Sequence, residues 1–354
     1  MDEPLYELDP DFNRLRTTLL LEGEPDRVPV VELLADREVR EAFLGRPIRT
    51  VADDVEFWYR AGYDYVHIRA GYEYRMLGDE DTVEKKSYGG DFQVRRWAST
   101  RETWINSWQE FEAYPWPDPQ TIDYSPIQQA IEALRPGMMV ISGVGGIFTR
   151  VWRIMGFERF ALGLVDQPDL VAAIFRRVGE TQLAVFKRIV EMPQIGAMWY
   201  GDDMAYTDGL MVSPAVLRRH VFPYLKEMGA ICRRKDLPFI LHSDGNLWPI
   251  MDDLLDIGFN AIHPIEPKAL DLAELKAKLG RRLCFLGGID LGEVLTRGTP
   301  ATVDAAVRES IRIAASGGGY GVGSSNTVAH WVPLENYTAM LLAARRYGKY
   351  PLRL

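Results

Sequence analysis

Eight short apolar runs, at residues 28–34, 63–69, 138–144, 197–203, 238–244, 261–266, 283–290 and 320–326, recur along the chain. Most are followed by a stretch with apolar residues three and four apart, as in Leu217, Val221, Leu225 and Met228, which is helical spacing. Strands alternating with helices make a parallel sheet, and eight strands close one into a barrel. The fold expected is therefore α/β, a (β/α)₈ TIM barrel spanning residues 1–354 as a single domain. With 47% apolar residues, the chain has ample material for one large core.

Two places depart from the repeat. Pro223 interrupts the helical spacing, so a break is expected near Phe222. Residues 71–127 are too long for a simple crossover; the turn signals Gly78-Asp79 and Gly89-Gly90 and the strand-like Phe92-Gln93-Val94 and Trp104-Ile105 read as a β-rich excursion after strand two, an insertion or lid. Pro115, Pro117, Pro119 and Pro126 suit an ordered surface connection back into the barrel.

Charge and cysteine content narrow the function. A formal net charge of -9 without any Lys/Arg-rich block argues against nucleic-acid binding, which needs concentrated cationic charge. Cys232 and Cys284 match neither a disulfide framework nor a metal knuckle. With no apolar stretch long enough to span a bilayer and an acidic N-terminus without a signal-like core, a cytoplasmic protein that does not engage membranes is expected.

Barrel chemistry belongs at the C-terminal ends of the strands, and several runs here end in polar residues: Gly201-Asp202-Asp203, His242-Ser243-Asp244-Gly245-Asn246, Ile265-Glu266, Gly287-Gly288-Ile289-Asp290 and Ser324-Ser325-Asn326. His242 and Asp244 stand two apart and share a face; together they can hold a metal or relay a proton, although Asp244 can equally cap the next helix. Glu266 is expected at the site, or else as a salt-bridge or capping group, with His263, of opposite parity, in packing. Asp202 and Asp203 can serve as acid and base or can merely favour a helix end. Trp199, Tyr200, Tyr206 and Trp331 are candidates to line an apolar pocket, and Asp290, Ser325 and Asn326 to contact substrate. Gly143-Val144-Gly145-Gly146 and Gly317-Gly318-Gly319 permit close backbone approach to an anion but lack a nucleotide-binding fingerprint.

Residues from about 201 to 351 resemble the uroporphyrinogen decarboxylase superfamily, which includes cobalamin-dependent methyltransferases. The likeness is carried, in order, by Gly201-Asp202-Asp203, Ser213-Pro214, Phe222-Pro223-Tyr224, Leu241-His242-Ser243-Asp244-Gly245-Asn246, Phe285-Leu286-Gly287-Gly288-Ile289-Asp290, Gly298-Thr299-Pro300, Gly317-Gly318-Gly319-Tyr320, Val332-Pro333, Glu335-Asn336 and Tyr347-Gly348. The resemblance implies the barrel, an enzyme, and often a homodimer. It also implies either methyl (one-carbon) transfer or decarboxylation of a tetrapyrrole.

The paired arginines with which uroporphyrinogen decarboxylases bind propionates are absent after Pro29, where the chain reads Val30-Val31-Glu32-Leu33-Leu34-Ala35-Asp36-Arg37. The zinc methyltransferases' His-x-Cys and later Cys align with His242, Asp244 and Ser324, so oxygen replaces both sulfurs and hardens the site. The leading expectation is a one-carbon transferase acting on a small or corrinoid-linked substrate. His242, Asp244 and Glu266 would bind zinc or another divalent metal, or activate substrate without one, with catalytic His242, Asp202 and Asp203 and a corrinoid, free or on a corrinoid protein, as methyl donor. Decarboxylation of a uroporphyrinogen and non-catalytic capture of a corrinoid or tetrapyrrole are the alternatives.

Overall fold

The computed structural model describes residues 7–74 and 104–353, together with the backbone of 82–84 and 93–95. Seven strands form one curled sheet: β1 (Tyr65–His67), β2 (Met139–Gly145), β3 (Ile195–Gly201), β4 (Phe239–His242), β5 (Ala261–Ile265), β6 (Cys284–Gly287) and β7 (Tyr320–Gly321). Neighbours in space are neighbours in sequence, and every pair is parallel. Helices follow the strands, as the right-handed strand–helix–strand unit requires. Both faces of the sheet are covered, which is why the strands read as unbroken apolar runs and why nearly all of their residues are buried.

The first apolar run does not form a regular strand, yet it completes the circle. Val30 bridges Val322 in parallel, with Val31 N–H donating to the Val322 carbonyl at 2.8 Å and Val322 N–H to that of Pro29 at 2.9 Å. On its other side the Tyr65 hydroxyl from β1 accepts from Glu32 N–H at 2.8 Å and donates to the Glu32 carbonyl at 2.5 Å. A side chain thus satisfies the backbone groups that a ladder would have used, and Pro29 has no N–H to offer. Gly323 is required by this closure, because a Cβ there would stand 2.0 Å from the Val31 carbonyl oxygen.

The break at proline occurs where sequence places it: helix Pro214–His220 ends, Val221 forms the junction, and helix Phe222–Arg234 starts afresh with Pro223 in its first turn. There proline costs nothing, since the first N–H groups of a helix lack partners anyway. In the excursion, Thr82–Glu84 pairs antiparallel with Gln93–Arg95; the turn signals at Gly78-Asp79 and Gly89-Gly90, and Phe92, lie outside the described residues. The proline-rich connection leads from helix Trp108–Ala113 to helix Ser125–Ala133. Both cysteines are buried free thiols. Among the described residues no helix is long and apolar enough to cross a membrane.

Candidate active site at the barrel mouth

The C-terminal end of β4 and the residues just past β3 bring three donors together. His242 closes β4, Asp244 lies two residues on, and Asp203 lies beyond the end of β3, whose Asp202 N–H still donates to the His242 carbonyl at 2.8 Å. One ligand atom from each of Asp203, His242 and Asp244 falls within 4.8 Å of the others. His242 Nε2 stands 3.7 Å from Asp203 Oδ1 and 4.0 Å from Asp244 Oδ1. These separations are too long for hydrogen bonds, so the three groups face a common point without satisfying one another.

Each donor is held from behind. Asn326 Nδ2 donates to Asp244 Oδ2 at 2.8 Å, leaving Asp244 Oδ1 buried with no hydrogen-bond partner. Asp244 N–H reaches Asp203 Oδ1 at 3.4 Å, and Gly245 N–H donates to Glu266 Oε2 at 3.2 Å. His242 Nδ1 lies 2.9 Å from His263 Nδ1. Burial pushes both imidazoles below their usual range, His242 to about 3 with help from the nearby Arg69 charge. Both are therefore neutral near pH 7, and one proton is shared along the Nδ1–Nδ1 line. When His242 donates it, the Nε2 lone pair points at the two aspartates. Burial, with Asp203 and Glu266 close by, raises Asp244 to about 7, and burial also raises Asp203.

Beneath the cluster Trp199 fills the barrel. Its ring lies 5.5 Å from His67 and 5.1 Å, edge to face, from His263. Trp199 is thus a buried floor rather than the wall of an open pocket expected for it. Tyr200 is buried as well, whereas Tyr206 and Trp331 are exposed on the rim.

Several other expected site residues have structural work. Asp202 is buried and both of its oxygens are engaged: Tyr200 OH and Phe148 N–H donate to Oδ2 at 2.6 and 2.9 Å, and Thr149 N–H to Oδ1 at 2.8 Å. It caps helix Ile147–Met155 from outside that helix, and Gly146 makes the room, since a Cβ there would sit 2.0 Å from Asp202 Oδ1. Asp290 accepts from Glu293 N–H at 2.6 Å and so caps the turn at Leu291–Thr296. Ser325 Oγ accepts from Leu291 N–H at 3.0 Å. Asn246, not Asp244, forms the capping turn, accepting from Trp248 N–H at 3.1 Å. Glu266 braces the loop at Gly245 and stands outside the three-donor set.

His263 and Glu266 both face this region, although alternation sets them on opposite sides of a regular strand. The register of β5 against β6 shifts by one residue between Ile262 and Ile265, and such a bulge resets the alternation. Sequence reasoning also passed over three charged residues. Glu32 is fully buried, accepts from Ser324 N–H and Oγ–H at 2.5 and 2.7 Å, and is raised by burial to about 8; the sign was a carboxylate inside an apolar run. Arg69 shares the inward parity of His67 at the end of β1, and Arg150 comes one helical turn after β2. A cavity of about 360 Å³ lies between Leu33, His67 and Arg69 and the helix residues Arg40, Asp54 and Trp58.

A model of the uroporphyrinogen decarboxylase (URO-D) family matches residues 80–347. Among solved structures, a methyltransferase from Methanosarcina mazei superposes with a TM-score of 0.65 at 19% identity, covering 94% of this chain and 98% of the other. A xylose isomerase-like TIM barrel protein from Mycobacterium smegmatis, in complex with magnesium, gives 0.34 at 13% identity over 64% of this chain and 80% of its own. No curated protein matches the sequence. At such identities the structural likeness speaks for the fold.

Proposed function

The chain belongs to the uroporphyrinogen decarboxylase family, and from that premise we propose that it is a one-carbon transferase whose acceptor is activated at a divalent metal held by Asp203, His242 and Asp244. The observation that carries the reading is the unpartnered, buried Asp244 Oδ1, set with His242 Nε2 and Asp203 Oδ1 within 4.8 Å. A buried carboxylate oxygen left without a hydrogen bond is costly, and a cation at the shared point would relieve it. One imidazole and two carboxylates make a harder donor set than thiolates, so zinc, manganese, magnesium or ferrous iron fit the residues present.

When bound, the metal supplies Lewis acidity that favours deprotonation of an acceptor thiol, hydroxyl or water. The chain's own residues do the rest. His263 accepts the His242 Nδ1 proton and so aims the Nε2 lone pair at the site; such outer partners fix the tautomer of a ligating histidine. Asn326 orients Asp244. Trp199 and the His67 ring close the floor and exclude bulk water. Asp203, half-exposed and not needed for capping, is the group placed to take or return a proton, the role sequence reasoning divided between it and Asp202.

The methyltransferase from Methanosarcina mazei, of similar fold, favours methyl transfer over decarboxylation. A corrinoid or a corrinoid protein is the methyl donor this reading carries. The test is transfer from methylcobalamin to a panel of thiol and hydroxyl acceptors, monitored by the absorbance of the demethylated corrinoid, before and after chelation. Transfer that needs metal and is lost in His242→Ala supports the proposal. Stepwise release of carbon dioxide from uroporphyrinogen, or metal content and turnover unchanged in His242→Ala, overturns it.

A further inference from the structure

Two guanidinium groups come together near His242. Arg69 lies just past β1, and Arg150 lies in helix Ile147–Met155 after β2. The glycine at the end of β2 makes space for Arg150, and the one at the end of β3 lies beside Arg69. A Cβ on Gly201 would lie 3.6 Å from Arg69 Nη2 and 3.9 Å from His242, and one on Gly145 would meet Arg150 Nη1 at 2.2 Å. Gly145 thus gives room to a cation rather than exposing a backbone amide to an anion.

Neither guanidinium has a carboxylate partner among the described residues. Arg150 donates through Nη1 to the Gly146 carbonyl at 3.1 Å, but its Nε is buried and unpartnered. Its charge rests 5.8 and 5.2 Å from the ring centres of Tyr72 and Tyr74. Those rings are fixed by Gln182, which accepts from Tyr72 OH at 2.6 Å and donates to Tyr74 OH at 3.2 Å. Elsewhere the chain pairs its sheltered arginines, Arg14 with Asp26 and Asp64, and Arg27 with Asp9 and Asp26.

Arginine cannot shed its proton near neutrality. The two charges repel each other, and desolvation together with that repulsion lowers Arg69 from its ordinary range. Arg69 is exposed and Arg150 half-buried, so the two like charges stand where a solute anion can reach them, and guanidinium forks match oxyanions bidentately.

We infer that Arg69 and Arg150, backed by Tyr72 and Tyr74, form an oxyanion subsite that receives a carboxylate, phosphate or sulfonate of the substrate and sets its reacting end toward Asp203, His242 and Asp244. The substrate class is a small molecule with an anionic group at one end and the acceptor atom at the other. This deepens the proposed function and rests on its placing of the substrate at the mouth.

The test titrates inorganic phosphate and succinate into the purified protein by calorimetry. The proteins compared are wild type, Arg69→Gln, Arg150→Gln, Arg69→Lys and the double variant Asp203→Asn/Asp244→Asn, with circular dichroism as a check on folding. Saturable binding is expected in wild type. Each Arg→Gln change should weaken it by about tenfold or more, the size of a charge-assisted bond, with part of it kept in Arg69→Lys. The double variant loses metal yet should still bind the anion, while the arginine variants should keep their metal, so the two readings fail separately. Equal affinity in wild type and both Arg→Gln variants, or no saturable binding in wild type, overturns the inference.

Discussion

Replacing Glu32 by glutamine should make the protein more stable at alkaline pH, by an amount the structure sets. The carboxyl is fully buried and, among the described residues, its hydrogen-bond partners are the N–H and hydroxyl of Ser324. Burial raises it from an ordinary 4.5 to about 8. Between those values the folded chain holds a proton that the unfolded chain has released. The resulting stability is fully present below 4.5 and is lost as pH rises to about 8, at about 1.4 kcal/mol per pH unit for one proton.

Across that interval the loss reaches about 5 kcal/mol, an order-of-magnitude figure and a large fraction of a typical domain's stability. Glutamine cannot ionise, and its oxygen can accept from Ser324 N–H while its amide donates to Ser324 Oγ. The assay is urea denaturation of wild type and Glu32→Gln at pH 5, 6, 7 and 8, read by tryptophan fluorescence. Asp64 and Asp244, raised to about 6 and 7, tilt both curves alike, so the difference in slope isolates residue 32. The variant's slope should be shallower by about one proton between pH 5 and 8. Parallel curves would refute the reasoning.

Three further outcomes are expected. Asp202→Ala removes a buried cap from helix Ile147–Met155 and takes the acceptor from the Tyr200 hydroxyl proton, costing about 2–4 kcal/mol by denaturant titration while metal content stays unchanged; a loss of metal without loss of stability would contradict the capping role. His263→Phe deprives His242 Nδ1 of its partner and should weaken metal binding about 10–100-fold, read by competition with a fluorescent chelator; unaltered affinity would remove His263 from the site. Gly143→Ala sets a Cβ 1.6 Å from the Trp199 carbonyl oxygen in the β2–β3 pairing and should yield insoluble protein; a soluble variant with wild-type melting temperature would show that this approach relaxes easily.

The barrel was legible because its strands are apolar on both faces and recur in alternation with helical spacing. The closure at residues 28–34 was not, since it depends on the Tyr65 hydroxyl replacing a ladder, and nothing local to the run announces that. His242, Asp244 and Asp203 were legible as polar ends of strands. Two carboxylates in succession, Asp202 and Asp203, differ only in what surrounds them: one meets a helix N-terminus through the gap at Gly146 and the other meets His242. Parity kept His263 apart from Glu266 because a one-residue bulge leaves no mark in composition. Arg150 went unread because the glycines before it suggested backbone chemistry, whereas Gly145 leaves volume for its guanidinium.

Crystals grown with manganese or zinc and measured at the metal's absorption edge test the central claim most directly. One anomalous peak is expected within bonding reach of Asp203 Oδ1, His242 Nε2 and Asp244 Oδ1, the three atoms that face one point, and it should vanish in Asp244→Asn. A metal-soaked crystal with no peak there, or with the Asp244 carboxylate turned to a protein donor instead, would contradict the account.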